Sequence, residues 1–220
     1  MRRSEKEIKD KAAIIDVLHR CHIGRLGTIG KDGYPIVKPL NFAYYKATLN
    51  PPSSPFPDKT IRGQVFKGGK EEDFSKGGLV GFTGGKIYFH TAKQGEKIED
   101  IKRDCRVCFE VDLPIAYVKA KNNPCEADYL YRSVIIKGRA KIIEDRDEKL
   151  FGLKCLMEKH QPIGGYGEYT EEKLNKVGIV RINIEEMTGK EDLGDTAKMK
   201  EMVLKVLREK SPLPITIERE

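Results

Sequence analysis

Apolar residues recur at intervals of three and four in several segments of the chain, and this spacing predicts amphipathic helices. The first predicted helix begins with a capping box, in which Ser4 and Glu7 satisfy free backbone N–H groups. The predicted helices are Ser4 to about His19, a short helix with Gly95 and Lys97 in its first turn, a helix that Asp145 caps and Pro162 closes, and Ala197–Lys210.

Between these helices, apolar and polar residues alternate, which is typical of half-buried β-strands. The predicted strands are 26–29, 34–45, 79–83, 87–91, 105–112, 129–144 and 177–184. Asp32-Gly33 indicates a tight turn after the first strand, Gly138 is expected to mark a bulge, and residues 113–128 are predicted to form a loop. Strands in hairpins with few helices between them predict a mainly β (α+β) fold, in which an antiparallel sheet closes into a barrel.

Two prolines affect the second strand, because proline cannot donate a backbone hydrogen bond to a sheet. We expect Pro35 and Pro39 to leave one side of this strand unpaired, with backbone groups free for a ligand. Residues 46–78 are punctuated by proline and glycine and are predicted to form a surface insertion. The predicted division is a domain over 1–190 that contains the insertion, followed by a C-terminal helix and tail over 191–220.

Polar residues gather where the predicted strand 87–91 meets the short helix that follows it. The strand ends in His90 and Thr91, and Gly95 and Lys97 open the helix. A helix start presents unpaired N–H groups and the positive end of the helix dipole, so it suits an anion, and Lys97 adds a full charge. The same residues are equally compatible with a surface loop whose Lys97 and Thr91 are solvated.

Composition narrows the class of partner. The 220 residues are enough for one sizeable core or at most two small ones, and 41 basic against 34 acidic residues give a net charge of +7. This balance favours anionic ligands, phosphate esters included, but the two signs are interleaved without the basic and aromatic stripe typical of nucleic-acid binding. The sequence shows neither a membrane span nor a secretory signal. We therefore expect a cytoplasmic protein that binds no membrane and no nucleic acid, with its five cysteines reduced.

Two small clusters of metal-binding residue types occur, and neither predicts a metal site. His19, Cys21 and His22 lie together at the end of a predicted helix, but the sequence shows no second ligand cluster, so local helix chemistry is the preferred interpretation. Cys105 and Cys108 have CxxC spacing, but an odd separation along a strand directs them to opposite faces. No metal ligand is therefore predicted.

Three motifs in the chain, taken in order, resemble a known family. They are GYPIVKPLNFAY, KIYFHTAKQGEKIEDIKRDCRVCFEV and YRSVIIKGRAKIIED. Their order and spacing resemble the FMN-binding split-barrel superfamily of pyridoxamine 5′-phosphate oxidase-like proteins, and within it the branch of nitroimidazole-resistance proteins. The resemblance covers roughly residues 5–190 outside the insertion. It implies a split antiparallel β-barrel with FMN as its cofactor.

The resemblance also implies which residues bind the cofactor. They are Lys38, Pro39, Leu40, Asn41, His90, Thr91, Lys97 and Ser133. Residues 38–41 match the strand whose backbone faces the flavin ring, His90 and Thr91 match the strand end near the flavin and its ribityl phosphate, Lys97 matches the phosphate-binding lysine, and Ser133 matches a polar position of the long strand. His90 is the candidate catalytic residue, because histidine side chains titrate near neutrality.

The implied function is a flavin-dependent oxidoreductase that passes electrons from a reduced nicotinamide donor to a nitro compound or a quinone. Family oxidases usually place arginine directly before the phosphate-binding lysine and carry a C-terminal tryptophan and a basic substrate pair. This chain has Glu96 at the former position and no tryptophan, so a true pyridoxamine 5′-phosphate oxidase is not expected.

Two further expectations concern partners and turnover. Similar proteins are homodimers that hold each flavin between two subunits, and NAD(P)H would bind only transiently, since no dinucleotide fingerprint is present. The alternative function is a module that binds flavin, heme or deazaflavin without turnover, as a carrier, sensor or electron-transfer partner.

Overall fold

A computed structural model describes residues 4–46, 85–209 and 214–218, which contain five α-helices and eight β-strands. The helices are α1 (Lys11–Arg20), α2 (Glu96–Arg103), α3 (Arg146–His160), α4 (Glu171–Lys176) and α5 (Ala197–Glu209). The strands are β1 (Ile23–Ile29), β2 (Pro35–Asn41), β3 (Ala43–Lys46), β4 (Gly85–Thr91), β5 (Arg106–Lys119), β6 (Asp128–Ile143), β7 (Gly178–Asp192) and β8 (Ile215–Glu218). None of these helices is long and apolar enough to cross a membrane.

The described strands form one curled sheet in the order β2-β1-β5-β6-β7-β4-β3, with β8 parallel to β5 and the other pairs antiparallel. β2 and β3 stand at its two ends, yet only Phe42 separates them along the chain. The sheet must therefore curl to bring its ends together. No ladder of hydrogen bonds joins β2 to β3 in the described residues, so the barrel is split and not closed. The predicted split-barrel fold class is confirmed.

The β1–β2 hairpin forms where the Asp32-Gly33 turn predicts it, with Ile29 opposite Pro35. β2 pairs with β1 on one side and is an end strand of the described sheet. This placement suits Pro35 and Pro39, because a strand that lacks two N–H donors cannot form complete ladders on both sides.

β5 and β7 continue well beyond the ends that the alternation predicts. β5 continues through Pro114 to Lys119, because a register shift against β6 between Pro114 and Ala116 accommodates the proline. The first part of the predicted loop 113–128 is therefore strand. β7 continues past Ile184, although Glu185 and Glu186 are both exposed and interrupt the apolar alternation.

A bulge in β6 confirms the expectation for Gly138. The register of β6 against β7 shifts between Lys137 and Gly138. A Cβ atom at position 138 would lie 2.2 Å from the carbonyl oxygen of Asn183, and only glycine avoids this collision with backbone.

The first helix begins later than predicted. Ser4–Lys6 form a 3₁₀ turn, and the Ile8 N–H donates to the carbonyl oxygen of Gly189 at 3.0 Å, which holds this segment against β7. The cap of α1 is Asp10, whose carboxylate accepts the Ala12 N–H at 2.9 Å. Pairing with the sheet thus prevails over the local capping box at Ser4.

Three apolar clusters hold the described elements together. The largest fills the interior of the barrel and includes Leu26, Phe42 and Phe109, with α1 packed against it. A second joins α5 to β5, β6 and β8, and a third joins α3 to β3, β4 and β7.

The division into a 1–190 domain and a C-terminal helix and tail stays a prediction. Residues 47–78 of the predicted insertion and the predicted strand 79–83 lie outside the described residues.

Candidate functional site

Oppositely charged side chains converge where β2 passes the start of α2. The Nζ atom of Lys38 lies 2.8 Å from a carboxylate oxygen of Glu96 and 3.7 Å from a carboxylate oxygen of Asp100. This Nζ is buried and makes no hydrogen bond with the described residues, so its contact with Glu96 is an ion pair without hydrogen-bond geometry. The Lys38 ammonium therefore keeps N–H donors available for another acceptor.

Asp100 anchors this group from within the fold. Its side chain is buried and accepts hydrogen bonds from the Thr28 hydroxyl at 3.0 Å and the Arg103 guanidinium at 2.8 Å. Burial by itself raises the pKa of the carboxyl group, but the hydrogen bonds from Arg103 and Thr28 and the charge of Lys38 outweigh it and lower the pKa. Asp100 is therefore ionised near neutrality and ties α2 to β1.

Lys97 stands in the first turn of α2 and is half-buried, with its Nζ atom 5.4 Å from the centre of the Phe89 ring. Its pKa is lowered, first because burial disfavours the charged form and second because the ammonium of Lys38 is nearby. Two cations held close together repel each other, and an anion placed with them would relieve this repulsion.

The start of α2 carries no competing side-chain cap. The N-cap residue is Gly95, with φ at 119°, and no side chain hydrogen-bonds to the first N–H groups of the helix at this position. That φ lies in the left-handed half of the map, which glycine adopts at little cost. The helix start, Lys97 and Lys38 thus make up a cationic site. The sequence predicts the helix start with Lys97, and the tertiary structure places Lys38 beside them.

The four predicted residues of β2 divide between the two faces of the strand. Lys38 and Leu40 alternate onto one face, where Lys38 reaches Glu96 and Leu40 enters the interior of the barrel. Pro39 and Asn41 lie on the opposite face, where Pro39 is exposed and Asn41 is half-buried.

His90 and Thr91 also lie on opposite faces of their strand. Thr91 shares the face of Phe89, which is buried in the barrel interior, whereas His90 shares the face of Tyr88, which packs towards α3. His90 is exposed, and it lies close enough to His160 to contribute to the lowered pKa of that imidazole, for which burial is the largest cause. Within one chain, His90 therefore lies on the other side of β4 from the face that Lys97 contacts.

Ser133 lies apart from the cationic site. It is half-buried on the outer face of β6, between Asp112 of β5 and Lys190 of β7. β1 and β5 stand between β6 and β2, so about 14 Å separates β6 from Lys38 across the sheet. The structure brings Lys38 and Lys97 together, but it does not bring Ser133 to them within one chain.

An open cleft of about 390 Å³ lies beside the cationic site. It is lined by Lys31 and Asp32 of the β1–β2 turn, Ile36 of β2 and Glu96 of α2. Glu96 belongs to both the cleft and the ion pair with Lys38, so a ligand in this cleft lies next to the cationic site.

Sequence similarity places the chain in a known family. The family model described as pyridoxamine 5′-phosphate oxidase matches residues 79–191, just over half of the chain. This chain belongs to the pyridoxamine 5′-phosphate oxidase family. The match includes His90, Thr91, Lys97 and Ser133, whereas residues 38–41 precede it. No match is found among curated protein sequences.

Solved structures support the same fold. A candidate 5-nitroimidazole antibiotic resistance protein from Bacteroides thetaiotaomicron is 21% identical with a TM-score of 0.58, and the alignment covers 84% of this chain and 85% of that one. A flavocytochrome from Azotobacter vinelandii is 17% identical with a TM-score of 0.61, covering 90% and 76%. An FAD- and heme-binding protein from Mycobacterium smegmatis is 16% identical with a TM-score of 0.61, covering 90% and 79%. At these identities the likeness concerns the fold of the family alone.

Three residues that support the cationic site of this family member were not predicted from the sequence, namely Asp100, Thr28 and Arg103. One signal was present for Asp100, because it falls between the buried residues Ile98 and Ile101 on the inner face of α2. A carboxylate at such a position needs a partner, and this predicts a buried ion pair. Thr28 offered no comparable signal.

Proposed function

We propose that this family member binds FMN and works as an oxidoreductase that passes electrons from a reduced nicotinamide donor to an electrophilic small molecule of the nitro or quinone class. The observation that carries the proposal is the uncapped start of α2 with Lys97 and Lys38 beside it. Bound flavin supplies the hydride- and electron-transfer chemistry, and the protein holds and orients it.

The chain fits the phosphate end of FMN through three groups of donors. The first N–H groups of α2, the Lys97 ammonium and the buried Lys38 ammonium all suit a phosphate oxygen. Glu96 is an unfavourable group, since its carboxylate pairs with Lys38 at 2.8 Å. A phosphate must displace that carboxylate, and Glu96 is exposed and can turn towards solvent.

The ring of the flavin would lie along the side of β2 that does not pair with β1. His90 is the candidate general acid that would donate a proton to the electron acceptor. His90 and Ser133 both lie away from the phosphate site within one chain. A second copy is therefore part of the proposal, in which a homodimer places each flavin between two subunits. Exposed apolar side chains on the outer faces of β1, β2 and β6, namely Ile23, Ile29, Val37 and Ile135, suit such an interface. A cytoplasmic location belongs to the same proposal.

A second candidate function is a flavin-, deazaflavin- or heme-binding electron-transfer module without turnover. It is favoured by fold neighbours that are named a flavocytochrome and an FAD- and heme-binding protein. Bleaching of the bound flavin by NAD(P)H, followed by reoxidation with a nitroaromatic compound or a quinone, separates the oxidoreductase from the module.

We expect Lys97→Ala to weaken FMN binding by about 10–100-fold, because a charge-assisted hydrogen bond to phosphate is lost. The measurement is titration of flavin-free protein with FMN and, in parallel, with riboflavin, followed by fluorescence quenching. The wild type should prefer FMN over riboflavin, and Lys97→Ala should lose most of that preference.

Two variants serve as controls in the same titration. Lys93→Ala removes an equal charge from an exposed lysine just before α2 and should leave the FMN preference intact. Glu96→Gln removes the competing carboxylate and should bind FMN at least as tightly as the wild type. Equal affinity of the wild type for FMN and riboflavin would contradict the phosphate assignment, and a wild type that binds neither flavin would refute the proposal.

His90→Ala is expected to lower kcat for NAD(P)H-dependent reduction of a nitroaromatic compound or a quinone by about 100-fold, as loss of a general acid does. Flavin content should stay near that of the wild type, since His90 is exposed and lies away from the phosphate site. The measurement is steady-state turnover per bound flavin. Unchanged turnover would remove His90 from the chemistry.

A further inference from the structure

Two histidines from distant parts of the chain face each other at the junction of α1, β1 and α3. His22 follows α1 and is exposed, whereas His160 is the last residue of α3 and is partly buried. Their Nδ1 atoms lie 3.5 Å apart, and the ring centres are 5.5 Å apart with the planes tilted by 50°. Neither imidazole belongs to the cationic site.

The hydrogen bond of its Nε2 atom sets the tautomer of His160. Its Nε2 atom lies 3.1 Å from the carbonyl oxygen of Phe42, which can only accept a hydrogen bond. Nε2 must therefore carry the proton, and Nδ1 presents a lone pair towards His22. A backbone carbonyl that receives the far N–H of an imidazole is the usual way in which proteins orient a metal-binding histidine.

The separation of the two Nδ1 atoms matches that of two ligands on one metal ion. A direct hydrogen bond between nitrogens at 3.5 Å is long. Two imidazoles on one tetrahedral Zn²⁺, with metal–nitrogen bonds of about 2.0–2.1 Å, hold their nitrogens about 3.4 Å apart. We propose that Nδ1 of His22 and Nδ1 of His160 bind one zinc ion.

The surroundings define what kind of site this is. Within the described residues no group of three or more His, Cys, Asp or Glu side chains is arranged to hold a metal, so in this proposal the protein supplies two ligands and water supplies the others. Lys159, which precedes His160 on α3, donates to the carbonyl oxygens of Leu18 at 2.9 Å and Cys21 at 2.6 Å. The negative end of the α1 dipole thus offsets its charge.

The ion has a structural effect in this position. The ion links the α1–β1 connection, through His22, to the end of α3, through His160. His160 in turn donates a hydrogen bond to the carbonyl oxygen of Phe42, the residue that joins β2 to β3. Zinc therefore stabilises the folded chain where the two ends of the split sheet meet, because a ligand that binds only the folded state raises its stability.

The test uses the full chain without a histidine tag, freed of metal with a chelator. Calorimetric titration with Zn²⁺ should show one saturable equivalent per chain, and long-range ¹H–¹⁵N spectra should show the Nδ1 signals of two histidines shifting together. Zn²⁺ should also raise Tm of the wild type. His22→Ala should weaken Zn²⁺ binding by at least about tenfold and abolish the rise in Tm.

His22→Ala is the decisive variant because His22 is exposed, whereas His160→Ala also breaks the bond to Phe42. His19→Ala is the matched control, since its ring packs against Tyr44 with centres 6.0 Å apart, and it should bind Zn²⁺ like the wild type. Binding in His22→Ala equal to that of the wild type, or no saturable binding by the wild type, overturns the proposal. Either result leaves the FMN proposal untouched, because Lys38 and Lys97 take no part in this site.

Discussion

Replacing Phe109 by alanine is expected to lower the free energy of unfolding by about 3–5 kcal/mol, because it removes a fully buried ring and leaves a cavity. Phe109 of β5 is 0% exposed and lies in the main cluster inside the barrel. Its ring packs edge-on against Phe42, with centres 5.0 Å apart and planes at 70°. Phe42 joins β2 to β3, the two end strands of the sheet, whereas Phe109 lies on β5 within the sheet. The contact between the two rings therefore links the split in the barrel to an inner strand.

The measurement is urea unfolding at one fixed protein concentration, followed by circular dichroism. Ile163→Ala is the control, since Ile163 is 99% exposed and its truncation should change the free energy of unfolding by less than about 0.5 kcal/mol. Similar losses in the two variants would show that the Phe109–Phe42 pair is not central to the barrel.

Replacing Asp100 by asparagine is expected to cost about 1–3 kcal/mol of stability at pH 7, because Lys38 and Arg103 lose the counter-charge that this buried carboxylate supplies. Lys38 and Arg103 would then face a neutral amide, although the Thr28 hydroxyl keeps an acceptor. The start of α2 should also be held less firmly against β1. We therefore expect weaker FMN binding in this variant if the proposed site is correct.

The effect of Asp100→Asn should depend on pH in a definite direction. The pKa of Asp100 is lowered in the folded state, so its stabilisation is present above the ordinary value of 3.8 and is lost as the pH falls through the lower folded value. The difference in unfolding free energy between wild type and variant should thus be constant from pH 7 to about pH 5 and shrink below pH 4. A difference that grows on acidification would contradict the ionised state of Asp100.

Glu99→Gln is the matched control for this experiment. Glu99 lies on the same helix and pairs with Lys102 at 2.9 Å, but both side chains are exposed. Exposed ion pairs contribute little to stability, so the loss should stay under about 0.5 kcal/mol. A larger loss of stability in Asp100→Asn than in Glu99→Gln would therefore reflect the burial of Asp100, and not ion pairing by itself.

Local signals predicted the elements whose residues need only near neighbours. The Asp32-Gly33 turn and the Asp145 cap of α3 are confirmed, since each follows from turn or capping chemistry within a few residues. The Gly138 bulge is also confirmed, although the backbone that excludes a side chain there belongs to Asn183 on the neighbouring strand. The capping box at Ser4 failed because Ile8 finds a partner in Gly189, far along the chain. The first part of the loop predicted over 113–128 is wrong for a similar reason, since pairing with β6 carries β5 through Pro114.

The candidate site likewise combines local features, which the sequence predicts, with contacts between distant segments, which it does not. The start of α2 with Lys97 in its first turn was predicted from the sequence, because a helix start and its lysine are local features. The contact of Lys38 with Glu96, and the burial of Asp100 beside Thr28, required β1, β2 and α2 to meet. The facing pair His22 and His160 could not be predicted either, since 138 residues separate them and imidazoles carry no long-range sequence signal.

The sequence by itself determined the alternation that makes a β-rich fold, the turns that join its strands, the family to which the chain belongs and the cationic start of α2. Only the tertiary structure decided which charges are buried together, which face each candidate residue occupies and where the sheet is split. The physical reason is that hydrogen-bonded turns and helix caps form between near neighbours, whereas burial and ion pairing depend on which distant strands the curled sheet brings into contact.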